Sequence, residues 1–336
     1  MQSVKDLAVN RLKKMKIKTE TEIYKSRLLN MTESEFEETA FRAFHLQARY
    51  NETYRFYLQC LKRNPKEIKR LEDIPFMPIE FFKTQKIKTG NFEEKIVFLS
   101  SGTTKQERSK HLLSDGDFYN EISRKIFTDF YGDFSGLRIV ALLPSYLEQG
   151  NSSLVYMIEN FLPYSKENSF FSLNFDEVGR ELEKNSKDTI VFGVSYALID
   201  FAEKYKAKDA VCIETGGTKG RRREMTKEEL HEFLRPAFRE IHSEYGMTEL
   251  LSQSYAVNST CFTPGYSLRV FLRNMNDPFD ISSEEKYGGL NIIDLANIES
   301  CCFIETKDIA RITGKQFEIL GRYDFSDLRG CNLMLS

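Results

Sequence analysis

The chain has 336 residues, of which 41% are hydrophobic and 29% charged, with a formal net charge of -2. That length is enough for one large domain or two smaller ones with a sizeable core. The near balance of charge gives no electrostatic case for nucleic acid as the main partner, and no apolar run suits a signal peptide or a bilayer span. Cys60, Cys212, Cys261, Cys301, Cys302 and Cys331 show no CxxC spacing, and His45, His111, His231 and His242 are scattered. Zinc, a redox motif and a disulfide framework are therefore not expected, and the thiols are expected to be reduced in the cytoplasm.

From the N-terminus, a basic stretch comes first: Lys5, Arg11, Lys13, Lys14, Lys16, Lys18, Lys25 and Arg27 against Asp6, Glu20 and Glu22. It reads as a solvated helix surface. Residues 1–90 read as mainly helical. Thr32-Glu33-Ser34-Glu35 has capping-box spacing, and Phe36, Ala40, Phe41 and Phe44 follow at helical intervals. Tyr50, Tyr54, Phe56 and Tyr57 are expected in the core. Pro75 and Pro78 in IPFMPIEFFK forbid a regular helix, so that segment is an expected extended crossing.

Short β-branched runs then appear at 95–99, 137–143, 188–194, 210–214 and 288–295, far enough apart to be joined by helices. This alternation predicts an α/β fold with much parallel sheet. Thr226-Lys227-Glu228-Glu229 is a second capping box, opening a helix with Leu230, Phe233 and Leu234.

Several segments carry chemistry. In Leu99-Ser100-Ser101-Gly102-Thr103-Thr104-Lys105 a strand runs into hydroxyls around a glycine, a composition that can surround a polyphosphate with backbone amides. It is not a Walker loop, since GxxxxGK[ST] is absent. Ser243-Glu244-Tyr245-Gly246-Met247-Thr248-Glu249 offers a ring, a tight turn, a hydroxyl and a carboxylate. One carboxylate with substrate phosphates is a usual way to hold Mg²⁺. In Thr306-Lys307-Asp308-Ile309-Ala310-Arg311, followed by Gly321-Arg322-Tyr323-Asp324, an Asp expected just after a strand can accept ribose hydroxyls and an Arg can hold oxygens. Each fragment alone is an ordinary turn or a surface ion pair.

In this order and spacing, the segments resemble the adenylate-forming superfamily of acyl-CoA synthetases, adenylation domains and luciferases, over roughly residues 75 to 336. The resemblance implies an α/β fold, the large N-terminal domain of that superfamily with a helical N-terminal region, spanning 1–322. It also implies ATP and Mg²⁺ as cofactors. Ser100, Ser101, Gly102, Thr103 and Thr104 would hold phosphates. Gly216 and Gly217, with Glu214 and Thr215 in IETGGTKG, would line the adenine. Tyr245 would stack on the base beside Gly246, Thr248 and Glu249 would act in catalysis with Glu249 on the metal, and Asp308 and Arg322 would bind ribose. Lys105 stands where the family has a second glycine, which leaves Lys105, Arg108 and Lys110 all as candidate phosphate contacts. The acyl pocket is expected from 144–161 and from residues after Glu249.

Only FSDLRGCNLMLS follows Asp324, where the superfamily continues into a small mobile domain carrying a catalytic lysine. A short tail, 323–336, ending in Leu328-Arg329-Gly330-Cys331 resembles acyl-protein synthetases of the LuxE type. That family implies a fatty acid as substrate, Cys331 as acyl acceptor, and a fatty-acyl reductase or other acceptor protein as partner. The chemistry is coherent: the adenylate activates a resistant carboxylate, and a thiolate, its pKa lowered by Arg329, attacks it. Two alternatives stand beside it: an acyl-CoA ligase similar to phenylacetate-CoA ligases, and a non-catalytic binding subunit of a reductase complex.

Overall fold

Helices α1 (Val4–Leu29), α2 (Phe36–Tyr50) and α3 (Glu52–Cys60) occupy the chain up to Cys60. The computed structural model describes residues 4–101, 107–143, 151–167, 169–171, 174–216, 225–281 and 286–323, with 4–14 as backbone only. The Thr32 capping box forms, with the Thr32 N–H donating to Glu35 at 2.9 Å, and leads through a short 3₁₀ turn into α2. Phe36, Ala40 and Phe44 turn inward as the spacing predicts. Phe56 does not: it lies exposed on α3, while Tyr50 and Tyr54 are buried. The IPFMPIEFFK segment crosses in extended form as β1 (Met77–Pro78), then makes one short helix, α4 (Phe81–Thr84).

The run at 95–99 becomes β2 (Ile96–Leu99), which among the described residues pairs with β3 (Lys110–Leu113) alone, in an antiparallel ribbon. Beyond it, strands and helices alternate: α5 (Asp117–Tyr131), β4 (Arg138–Leu142), α6 (Ser153–Phe161), β5 (Phe170–Phe171), α7 (Phe175–Lys184), β6 (Thr189–Val194), α8 (Ser195–Lys204), β7 (Ala207–Thr215), α9 (Lys227–Leu234) and β8 (Phe238–Tyr245). The strands among these are parallel, and β4 and β6 are buried along their whole length, which is why they read as unbroken apolar runs. Two antiparallel strands, β9 (Ser254–Ala256) and β10 (Thr263–Pro264), complete the seven-stranded order β10-β9-β8-β7-β6-β4-β5.

A second, five-stranded sheet holds β11 (Leu268–Arg273), β12 (Gly288–Asp294), β13 (Phe303–Thr313) and β14 (Gln316–Arg322), with β1 pairing parallel to β13. The run at 288–295 therefore lies in an antiparallel sheet and not among the parallel strands. β11 pairs antiparallel with β12, and β13 with β14, as strands that fold back on one another do. The β13–β14 turn is Gly314–Lys315, and Gly314 supplies the positive φ of 61° that such a turn needs. Asp308 lies inside β13, paired with Arg322, and not after the strand. Its place was set by partners on either side that the local sequence does not reveal.

The helical region is pinned to a 3₁₀ turn at Leu295–Glu299. Gln47 Nε2 donates to the Asn297 carbonyl at 3.0 Å, and Gln47 Oε1 accepts from Cys302 N–H at 2.9 Å. Asn51 donates to the Ser300 carbonyl at 2.7 Å. Lys25, from the stretch expected as a solvated face, is buried and pairs with Glu299 at 2.7 Å, and Ser114 donates to the same carboxylate. The buried apolar residues form one cluster running from Tyr24 to Phe317. Among the described residues no helix is long and apolar enough to cross a membrane.

Candidate functional site

A cleft of about 720 Å³ opens where the carboxyl ends of β7 and β8 meet the end of β2 and the rim of β13 and β14. Ligands of open α/β sheets gather at the carboxyl ends of strands. Ser100 and Ser101, Thr215 and Gly216, Gly246 to Leu250, Lys307 and Arg322 all face it. Segments more than two hundred positions apart in the chain thus share one wall.

The Ser100 side is a closed loop base. Ser109 N–H donates to Ser100 Oγ at 2.9 Å, and Ser100 N–H donates to the Ser109 carbonyl at 3.1 Å. Arg108 donates to the Ser100 carbonyl at 2.5 Å, while Lys110 is exposed at the start of β3. Gly102, Thr103, Thr104, Lys105, Gly217, Cys331 and the segment 144–150 lie outside the described residues.

Strand alternation gives the end of β8 two faces. On one face, the Tyr245 hydroxyl donates to Asp308 Oδ2 at 2.7 Å, and Arg322 stands 4.0 Å from the other Asp308 oxygen. The Tyr245 ring packs against Phe262 and, edge-on, against Phe317. Burial pushes the Asp308 carboxyl up, opposed by the Tyr245 hydrogen bond and Arg322. On the opposite face, Glu244 is buried beside the cleft and accepts a hydrogen bond from Thr215 Oγ1. Desolvation raises its carboxyl to about 7. Tyr255 is its cross-strand partner, so the same face carries Tyr255 and, two residues back, Gln253. Tyr119 of α5 and Ser152, Ser153, Leu154 and Met157 at the start of α6 close this side.

Thr248 and Glu249 lie on the turn after β8. Glu249 is buried, faces the cleft and has no ion pair among the described residues. Desolvation raises its carboxyl, against a hydrogen bond from Ser109. The turn is braced from behind. Asn297 donates to the Glu249 carbonyl at 2.8 Å, and the buried Asp294 carboxylate accepts from Leu251 and Ser252 N–H at 2.8 and 3.0 Å. His111 Nδ1–H donates to the Thr248 carbonyl at 2.7 Å. That ring is fully buried and does not line the cleft; desolvation lowers it to about 4, so it is neutral and serves the turn. Beneath the cleft, Glu214 is held by Ser195 Oγ at 2.7 Å and by Lys227.

The sequence motifs gave no role to Glu244, which stands within one of them, nor to Gln253 and Tyr119 beside it or to Lys83 and Ser109 on the wall. One signal was present. Parallel strands read as apolar runs, yet β8 ends in His242-Ser243-Glu244-Tyr245. Of these four, Glu244 lines the cleft, while His242, Ser243 and Tyr245 bond to Glu240, His231 and Asp308.

No protein-family profile matches the chain, and no curated protein matches it in sequence. Solved structures do. A 2-hydroxyisobutyryl-CoA ligase with 2-HIB-AMP and CoA superposes with a TM-score of 0.65 at 13% identity, over 89% of this chain and 71% of that one. An open conformation of that ligase gives 0.64 at 12% identity, over 88% and 77%. ATP-bound MatB from Rhodopseudomonas palustris gives 0.53 at 13% identity, over 69% of this chain and 49% of that one. The chain thus spans about half the length of the MatB chain that it matches. At these identities the likeness establishes the fold: mixed α/β, with the architecture of the large N-terminal part of adenylate-forming enzymes.

Proposed function

We propose that the chain is an ATP-dependent ligase that makes an acyl-adenylate and then passes the acyl group to the thiol of Cys331. In the first step a substrate carboxylate oxygen bonds to the α-phosphorus of ATP, the bond to the β-phosphate oxygen breaks, and pyrophosphate leaves. In the second the Cys331 thiolate attacks the acyl carbon and AMP leaves with the bonding electron pair. The observation that carries this reading is convergence: the serine loop base, the Gly246–Glu249 turn and Arg322 line one cleft, and Tyr245 and Asp308 stand behind its wall, joined to each other at 2.7 Å and to Arg322 at 4.0 Å.

Division of labour follows the two faces of β8. The nucleoside lies on the Tyr245 and Asp308 side, phosphates lie toward Ser100 and Ser101, and the acid lies on the Glu244 side near Tyr119 and Met157. Glu249 fits a divalent cation, because it is a buried, cleft-facing carboxylate with no ion pair among the described residues, although Arg322 and Lys83 act on it from the same cleft. When bound, Mg²⁺ supplies positive charge to the phosphates. The finer expectation, a fatty acid delivered through Cys331 to a reductase, rests on the LuxE-type resemblance alone. The neighbours in fold favour a second reading, an acyl-CoA ligase with coenzyme A as acceptor.

Acid-dependent exchange of labelled pyrophosphate into ATP tests the first step. Absence of exchange over a broad acid panel removes the adenylation reading. Intact-mass measurement after incubation with ATP and acid tests the second. An acyl adduct retained at wild-type level on Cys331→Ser removes the thiol assignment, and acyl-CoA formed by Cys331→Ser at the wild-type rate establishes the coenzyme A reading.

A further inference from the structure

The acid side of the cleft carries more hydrogen-bond acceptors than its own fold uses. Glu244 is buried, yet only Oε2 is bonded, by Thr215. Its Oε1 lies over Gly246, where an added Cβ would stand 2.3 Å away, and it has no hydrogen-bond partner among the described residues. The nearby cation does not satisfy it: the Lys227 ammonium bonds Glu214, whose other oxygen is taken by Ser195. Gln253, on the same face and also lining the cleft, spends its Nε2 on the Leu251 carbonyl at 3.1 Å. Its Oε1 is buried with no partner among the described residues. The Tyr119 hydroxyl closes the same side and donates to the Ser153 carbonyl at 3.2 Å.

Two oxygens on one side of the cleft are without a partner among the described residues, and both are acceptors once the Glu244 carboxyl is ionised. A buried acceptor left without a donor costs free energy, and a carboxylate costs more than a neutral amide. A plain alkyl chain placed here would offer neither oxygen a donor. We infer that the acid substrate bears a hydroxyl or ammonium group on its organic part, and that Glu244 and Gln253 receive it. This rests on the adenylation reading and sharpens it, because an unsubstituted fatty acid is disfavoured.

The test is pyrophosphate exchange with matched acids: hexanoate against its 3-hydroxy, 6-hydroxy, 3-amino and 6-amino derivatives, and benzoate against its 3-hydroxy and 3-amino derivatives. The expected result is that a donor-bearing acid exceeds its parent in kcat/KM by about 10- to 100-fold, as a charge-assisted hydrogen bond provides. Glu244→Gln should cut that ratio by about tenfold or more. Gln253→Leu should lower the ratio as well, and it keeps the question open to test if Glu244→Gln yields no folded protein by circular dichroism. The amino and hydroxy arms separate an ammonium from a hydroxyl ligand. Parent acids equal to or better than their derivatives in every pair overturn the inference and leave adenylation standing. A ratio unchanged in both variants overturns the assignment to these residues. No exchange with any acid overturns adenylation and this inference together.

Discussion

Replacing Glu244 with glutamine is expected to stabilise the fold more at pH 8 than at pH 5. The folded chain holds the Glu244 carboxyl at about 7, against an ordinary value of 4.5, because burial penalises its charge. Between those values the folded protein keeps a proton that the unfolded chain releases. The associated stability is fully present below 4.5 and is lost as pH rises through about 7. At roughly 1.4 kcal/mol per pH unit, the whole gap is worth about 3 kcal/mol, of which about 2 kcal/mol falls between pH 5 and pH 8. Glutamine has no charge to bury and can still accept from Thr215. Glu249, Asp308 and Asp294, which burial also raises, are common to both proteins and cancel in the comparison. The assay is urea unfolding of both proteins at the two pH values, followed by far-UV circular dichroism, since the chain has no tryptophan. An advantage of the variant that is the same at pH 5 and pH 8 would refute the reasoning. A confirmed gain would mean that the carboxyl is kept at a cost to stability, as expected of a group retained for a ligand.

Tyr245→Phe removes the hydroxyl that donates to Asp308 at 2.7 Å, so the Asp308 carboxyl rises further and must be ionised at higher pH. The acid limb of the pyrophosphate-exchange profile should move upward, with a stability loss of about 1 kcal/mol; an unmoved limb would count against the Asp308 role. Glu249→Gln should lower exchange about 100-fold or more, with added Mg²⁺ restoring little of it, because the carboxylate is the proposed metal contact. Lys25→Met strands the buried Glu299 carboxylate with only Ser114, and urea unfolding should show a loss of about 3 kcal/mol. Adding Glu299→Gln should recover most of that loss, and failure to recover would mean that the lysine acts through packing alone.

The parts of this fold that were legible in the sequence are those decided locally. Capping boxes at Thr32 and Thr226 formed because the reciprocal bonds need only four consecutive residues. The runs at 137–143 and 188–194 became central parallel strands because burial on both faces leaves no room for polar alternation. What failed was decided at a distance. Lys25 reads as one of many exposed cations, and only the arrival of Glu299 and Ser114 makes it a core residue. Asp308 reads as a loop residue after a strand, and pairing with Arg322 across a hairpin keeps it within one.

The site divides along the same line. A linear motif such as Tyr245-Gly246-Met247-Thr248-Glu249 names residues but not the direction each faces. Direction comes from the two-residue alternation of β8 and from what each neighbouring sheet presents to it. Tyr245 turns to the second sheet and meets Asp308; Glu244, one position earlier, turns to the other side and meets Thr215. On the proposed reading, the parity of the strand puts the nucleotide and the acid on opposite sides of adjacent residues, so the position before the tyrosine is where substitutions that change acid preference should be sought first.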